Sequence, residues 1–306
     1  TAWPGYAPTP LHDLSRLAGA LGVARISYKD EAGRFGLGSF KALGGAYAVQ
    51  RLVEDKAREL GLSLAAAAAK VTVVTATDGN HGRSVAWGAQ MLGCPCRIYM
   101  HAGVSEGRAK AVEAYGATVV RVDGNYDESV HQAAADAEDN GWFVVSDTSY
   151  EGYVEPPRRV MSGYTVMTGE AIAQMPGGKP PSHVFIQGGV GGLAAAVCAH
   201  LWIEYGIDAP RVVIVEPDRA DCLFQSAVNG KPTDVHITEE TIMAGLSCGE
   251  VSQLGWQILS PGASDFLTMS DDLVAPAMRL LAAGEAGPAV VAGESAVAGL
   301  AGLIAA

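Results

Sequence analysis

Four short stretches of the chain carry residues whose types and spacing suit chemistry. In Gly38-Ser39-Phe40-Lys41, a lysine stands where a helical pattern begins. The positive end of the helix macrodipole is a poor place for a surface lysine. An amine held there beside a ligand has its pKa lowered and can attack a carbonyl carbon to form a Schiff base. Read alone, Lys41 is better taken as an ordinary solvated lysine. In Thr77-Asp78-Gly79-Asn80-His81-Gly82, the turn follows the apolar run "VTVV". Asn80 can donate to or accept from a polar ring substituent. As an isolated turn, Asp78 and Asn80 read as turn and N-cap residues. Ser146-Asp147-Thr148 closes the apolar run "WFVV". It puts an acid at the C-terminal end of a buried strand, where α/β sheets bind ligands; a loop N-cap is the plainer reading.

The fourth stretch is Gly188-Gly189-Val190-Gly191-Gly192, between a strand and a helix. Backbone N–H groups at a helix N-terminus cradle phosphate. Read as Gly189-x-Gly191-x-x-Ala194, the loop also matches a dinucleotide fingerprint. Glu216 then stands at the end of the next strand, as a ribose-binding acid would. A nicotinamide-type dehydrogenase is therefore one reading, but it leaves Lys41 and the Asp-Gly-Asn-His-Gly turn unexplained.

These residues need elements to hold them. β-Branched runs alternate with helical patterns. Strands are expected over 24–30, 70–77, 96–102, 117–124, 141–148 and 211–218, with another at "HVFIQ" before the glycine loop. Helices are expected over 41–60, 81–92, 105–116 and 126–140, with another after the glycine loop. The run 64–70, "LAAAAAK", is expected as the C-terminal part of a helix. Ser105 and Gly116 are sound start and stop residues. Near-continuous Val/Ile strands between helices predict α/β architecture with buried parallel strands. Residues 71–148 suffice for one compact α/β unit, and "PGGKPPS" at 176–182 reads as a loop before a second.

Composition narrows the function classes. The 306 residues carry a net charge of −12. An acidic chain gains nothing on phosphate backbones or anionic membranes, which disfavours nucleic-acid and membrane partners. The N-terminal stretch lacks the basic and apolar regions of a signal peptide. The apolar C-terminal stretch contains Glu294, Ser295 and many glycines, and predicts a buried Ala/Gly-rich helix rather than a membrane span. Five cysteines at this length suit reduced thiols in a cytoplasmic enzyme better than a disulfide scaffold. Cys94-Pro95-Cys96 is not a Cys-x-x-Cys motif, and the seven histidines form no metal-binding cluster, so no metal site is expected.

Taken together, "GSFKALGG", "ATDGNHG" and "GGVGGL", in this order and spacing, resemble the fold type II pyridoxal-phosphate enzymes, the tryptophan synthase β-like family. "PTPL" at 8–11 is also typical of that group. Within it, "RFGLGSFKALGGAYA", "TATDGNHGRSVAWGAQMLG", "VSDTSYEGY", "IVEPDRADC", "TIMAGLSCGE" and "GESAV" look most like the branch that removes ammonia from 2,3-diaminopropionate.

The resemblance implies two doubly wound α/β domains with pyridoxal 5′-phosphate in the cleft between them. Residues 1–46 and 155–306 would form the large domain and 47–154 the small one. Lys41 is implied as the lysine that joins the cofactor aldehyde as an imine, Asn80 as the contact to the pyridoxal O3′, and Gly188, Gly189, Val190, Gly191 and Gly192 as the wrap around the phosphate. Asp78 and Asp147 are implied as the two acids around the substrate. Fold type II enzymes usually continue into a further strand that faces the pyridine nitrogen, and no candidate for that role precedes Ala306. A cytoplasmic homodimer and a small amino-acid substrate are also implied.

The implied reaction is α,β-elimination of 2,3-diaminopropionate, in the L and D forms, to pyruvate and two ammonia. The threonine dehydratase branch typically has a small neutral residue where Asp78 stands. A buried carboxylate facing a neutral β-hydroxyl is poorly compensated, whereas against a β-ammonium it makes a charge-assisted hydrogen bond. A serine/threonine dehydratase with the same cofactor is the next reading, and the dehydrogenase the third. Cys222 and Cys248 fall in two of the matching strings, and reduced thiols are expected for both.

Overall fold

A computed structural model describes residues 3–77 and 79–306, Asp127 by its backbone alone. Two compact units divide the chain: 1–33 with 165–306, and 34–164. The chain opens with β1 (Leu11–Asp13), α1 (Ser15–Leu21) and β2 (Ser27–Lys29), whose strands pair antiparallel. The strand expected over 24–30 is thus a short antiparallel partner and not a member of a parallel sheet.

The second unit contains α2 (Lys41–Leu60), α3 (Leu64–Ala68), β3 (Val73–Ala76), α4 (Asn80–Leu92) and β4 (Cys96–His101). It continues with α5 (Glu106–Glu113), β5 (Thr118–Val122), α6 (Tyr126–Asn140), β6 (Phe143–Val144) and α7 (Glu155–Gln174) as far as Tyr164. The run 64–70 is a helix of its own, where the tail of a longer one was expected. Gly61, at φ 64°, ends α2, and the Ser63 hydroxyl restarts the helix by accepting from Ala66 N at 3.3 Å.

The sheet of this unit is parallel, in the order β5-β4-β3-β6. From β3 the chain steps outward to β5, then returns to the far side of β3 for β6. Strand order reverses between β3 and β6, and open α/β sheets bind ligands beyond the carboxyl ends of the strands at such a point. Asn80, the first residue of α4, and Asp147 stand just past those two ends. Val74, Tyr99, Ala133 and Ala137 pack the layer between this sheet and α6.

The remainder of the first unit contains β7 (His183–Gln187), α8 (Gly192–Tyr205), β8 (Arg211–Pro217), α9 (Cys222–Asn229) and α10 (Gln253–Gly262). It ends with β9 (Asp265–Met269), α11 (Val274–Ala282) and α12 (Ala298–Ala305). The parallel order is β7-β8-β9. The expected Ala/Gly-rich C-terminal helix is α12, buried over Ala298–Gly302. Small residues let it lie on the sheet: a Cβ at Gly299 would fall 2.7 Å from the Phe185 carbonyl oxygen. Among the described residues, no helix is long and apolar enough to cross a membrane.

The unit boundaries at 33 and 164 differ from the expected 46 and 155. The reason is how closely α2 and the first half of α7 pack. A Cβ at Gly163 would stand 2.2 Å from the Leu43 carbonyl oxygen, and one at Gly44 would stand 2.4 Å from Tyr164 Cε1. Glycine at both positions keeps the two helices together, and Lys41 stays with the second unit's sheet.

Candidate active site

Within the second unit, the loop before α2 turns through Gly38, at φ 73°. The Ser39 hydroxyl then accepts from Lys41 N at 3.2 Å, which satisfies one donor of the first helical turn. Lys41 is thereby fixed as the first residue of α2. Its ammonium makes an ion pair and hydrogen bond with Asp147 Oδ2, bringing together two residues 106 apart in sequence.

Asp147 is held from behind. The Tyr153 hydroxyl donates to the Val144 carbonyl at 2.9 Å and accepts from Ser146 N at 3.0 Å. Tyr153 is itself placed by a tight turn, in which Tyr150 and Tyr153 exchange backbone hydrogen bonds and stack their rings at 4.9 Å. This is why β6 covers only Phe143–Val144 where 141–148 was expected. The backbone beyond Val144 bonds to Tyr153 and His81 side chains as well as to β3.

Asn80 and His81 open α4, at the carboxyl end of β3. His81 is buried, and its Nε2 lies 2.8 Å from the Val145 carbonyl oxygen. Its Nδ1 lies 3.8 Å from Asp147 Oδ2. Burial acts to raise the Asp147 carboxyl, but the Lys41 ammonium first, and then His81, outweigh it and hold the group well below the usual carboxylate range. Tyr164 on α7 is fully buried, with its ring edge-on to Phe40 at 4.9 Å. Its hydroxyl has no hydrogen-bond partner, and burial keeps it a phenol with Lys41 and Asp147 as its nearby charges.

Lys41 and Asp147 are therefore brought together, with Asn80 at the same end of the sheet. Asp78 lies outside the described residues. His81 and Tyr164 were not among the candidates read from sequence. The histidine stands inside a quoted motif, but its ring direction depends on Val145, 64 residues away. For Tyr164 the sequence offers only Gly44, the small residue its ring requires.

The glycine loop lies in the first unit, between β7 and α8. Gly189 and Gly191 have φ of 63° and 99°, a region that favours glycine. Gly188 needs glycine for a different reason: a Cβ there would stand 2.6 Å from Glu216 Cγ. Glu216 cannot readily yield. It is 1% exposed and accepts from Leu223 N at 3.2 Å and Phe224 N at 2.7 Å, tying it to the first turn of α9. Burial pushes its carboxyl up to about 8 against those two hydrogen bonds. Glu216 is thus consumed inside the fold and offers nothing to a ribose, which removes the support for the dehydrogenase reading. Cys222 and Cys248 border the same loop as reduced cysteines, and Cys94, Cys96 and Cys198 are reduced too.

Gly188→Ala is expected to cost about 1–3 kcal/mol by overpacking against Glu216. If the loop holds a phosphate, the cofactor Kd should rise roughly tenfold for each 1.4 kcal/mol that falls on the bound state. Fluorescence titration of the cofactor-free variant measures this; an unchanged Kd would mean that the loop is not the phosphate cradle.

The family model for pyridoxal-phosphate dependent enzymes matches residues 2–306. The chain belongs to this family. It is 43% identical over 304 residues to the diaminopropionate ammonia-lyase of Escherichia coli K12, covering 97% of this chain and 76% of that protein. A crystal structure of the Escherichia coli enzyme in complex with D-serine superposes with a TM-score of 0.90 at 41% identity, over 99% of this chain and 78% of that one. A second, in complex with an aminoacrylate–pyridoxal phosphate azomethine reaction intermediate, gives 0.89 at 42%, with the same coverage. The fold type II family expected from the motifs is the family observed.

Proposed function

We propose that this chain is a pyridoxal-phosphate-dependent ammonia-lyase that converts 2,3-diaminopropionate and water to pyruvate and two ammonia. The identity of 40–43% to diaminopropionate ammonia-lyases over nearly the whole chain carries this reading. The residues present fit the cofactor: an amine is placed beside a carboxylate at the strand-order reversal, and a glycine loop with no room for a Cβ at Gly188 leads into α8.

When bound, pyridoxal phosphate supplies an electron sink for the pair released at Cα. Lys41 would hold the cofactor aldehyde, and its amine, once free, removes the Cα proton. The glycine loop and the N-terminus of α8 would hold the phosphate, and Asn80 would hydrogen-bond the pyridoxal O3′. Asp147 keeps the Lys41 amine in place through the ion pair. Asp78 is assigned by sequence as the acid that meets the substrate's β-ammonium and that takes the Cα proton from the face opposite Lys41 in the D form. Asp78→Asn is expected to lower turnover of both forms through the lost β-ammonium contact, and that of D-diaminopropionate by about 10²-fold more. Equal loss for both enantiomers would refute that assignment.

A cytoplasmic homodimer is proposed with this function, on the family resemblance alone. Borohydride reduction followed by peptide mapping tests the cofactor site. Pyridoxyl label on Lys41 supports the reading, and label on another lysine, or none, defeats it.

A further inference from the structure

We propose that His81 is a positioning residue that takes up the proton Lys41 must shed before its amine can attack a carbonyl carbon. The inference rests on the reading of Lys41 given above. Nε2 of His81 meets the Val145 carbonyl at 2.8 Å. A carbonyl only accepts, so Nε2 carries the hydrogen, and any second proton on the ring goes to Nδ1. Nδ1 is buried without a hydrogen-bond partner and faces Asp147 Oδ2 at 3.8 Å. The same oxygen pairs with Lys41 Nζ. A neutral ring thus turns a bare lone pair toward a carboxylate. A protonated ring turns an N–H toward it.

Lys41, Asp147 and His81 therefore form a line from amine to carboxylate to imidazole, anchored at its far end on the Val145 carbonyl just past β6. With Lys41 as ammonium and Asp147 as carboxylate, His81 is the one member able to accept a proton. The proton passes from Nζ to Oδ2 and from Oδ2 to Nδ1. Lys41 becomes a neutral amine with a lone pair, Asp147 remains a carboxylate, and His81 holds the positive charge. The summed charge of the three groups does not change. Hydrogen-bond distance between Nδ1 and Oδ2 requires about 1 Å of side-chain movement. Among the described residues, the phenols of Tyr164 and Tyr153 also stand near Lys41 or Asp147, and burial keeps them protonated. The Lys41–Asp147 pair alone would keep the amine charged and unreactive. His81 gives Asp147 a second cation to hold when Lys41 stops being one.

The test has two arms on the full chain. In the first, 15N-histidine spectra of cofactor-free protein at neutral pH report which ring nitrogen of His81 is protonated. Lys41→Ala should raise the ratio of doubly protonated to neutral His81 at least tenfold, because Asp147 then has no other cation. An unchanged ratio, or a neutral ring with its hydrogen on Nδ1, overturns the proposal. In the second, the rate of pyridoxal phosphate capture is followed by absorbance across pH 6–9. His81→Gln should slow capture at least tenfold and change the shape of its pH profile, whereas a purely structural role would weaken binding without changing that shape. An unchanged profile with the cofactor fixed on Lys41 overturns the proposal alone. Cofactor fixed on another lysine overturns the reading of Lys41 and the proposal with it.

Discussion

Replacing Lys41 with alanine is expected to lower pyruvate release from 2,3-diaminopropionate by at least ~10³-fold, because proton transfer and covalent capture are lost together. The fold should survive. The backbone N–H of Lys41 is capped by Ser39, and neither that hydrogen bond nor the apolar face of α2 uses the lysine side chain. Circular dichroism should therefore stay near wild type, with a urea midpoint lowered by the lost ion pair to Asp147, while borohydride no longer fixes the cofactor to the protein. Residual turnover above about a hundredth of wild type would mean that another base does the work assigned to Lys41.

Asp147→Asn is the second large effect. The ion pair with Lys41 is partly buried, with side chains 27% and 20% exposed, so removing one charge leaves the other in a poor solvent. We expect kcat/KM to fall by about 10²-fold as the amine loses its orientation. The variant also has a signature in stability. The folded carboxyl is depressed below its unfolded value, near 3.8, with Lys41 and His81 opposing the effect of burial. A depressed acid contributes stability that is fully present above the unfolded pKa and lost as pH falls toward the folded one. The wild type should therefore exceed Asp147→Asn in urea midpoint at pH 5, and the gap should close progressively below pH 4. A gap that widens below pH 4 would contradict the ion pair.

Most of the scaffold is legible in the sequence because its cues are local. "KALGGAYAVQRLVEDKAREL" is helical end to end as α2, and Ser105 caps α5 as its position predicts. The glycine loop falls between strand and helix as read. What the sequence hides depends on partners far along the chain. The pairing of Lys41 with Asp147 needs β6 to return beside β3. The early end of β6 needs the Tyr153 hydroxyl to take the Val144 carbonyl. Glu216 matches a ribose-binding acid in spacing, yet two amides of α9 occupy it, and only the folded loop shows where its oxygens go. The placement of Lys41 with the second unit follows from Gly44 and Gly163, which a linear reading passes over as ordinary small residues.

The central claim is that Lys41, with the acids around it, releases ammonia from a diamino acid. Pyruvate release from L-2,3-diaminopropionate, measured beside L-serine on the same pyridoxal-phosphate-loaded preparation, tests it most directly. The account predicts rapid pyruvate from diaminopropionate, with two ammonia for each pyruvate, and at least ~10²-fold lower kcat/KM on serine, whose neutral β-hydroxyl can donate a hydrogen bond to a carboxylate but brings no opposite charge. Equal or faster turnover of serine would contradict it and make the chain a serine dehydratase.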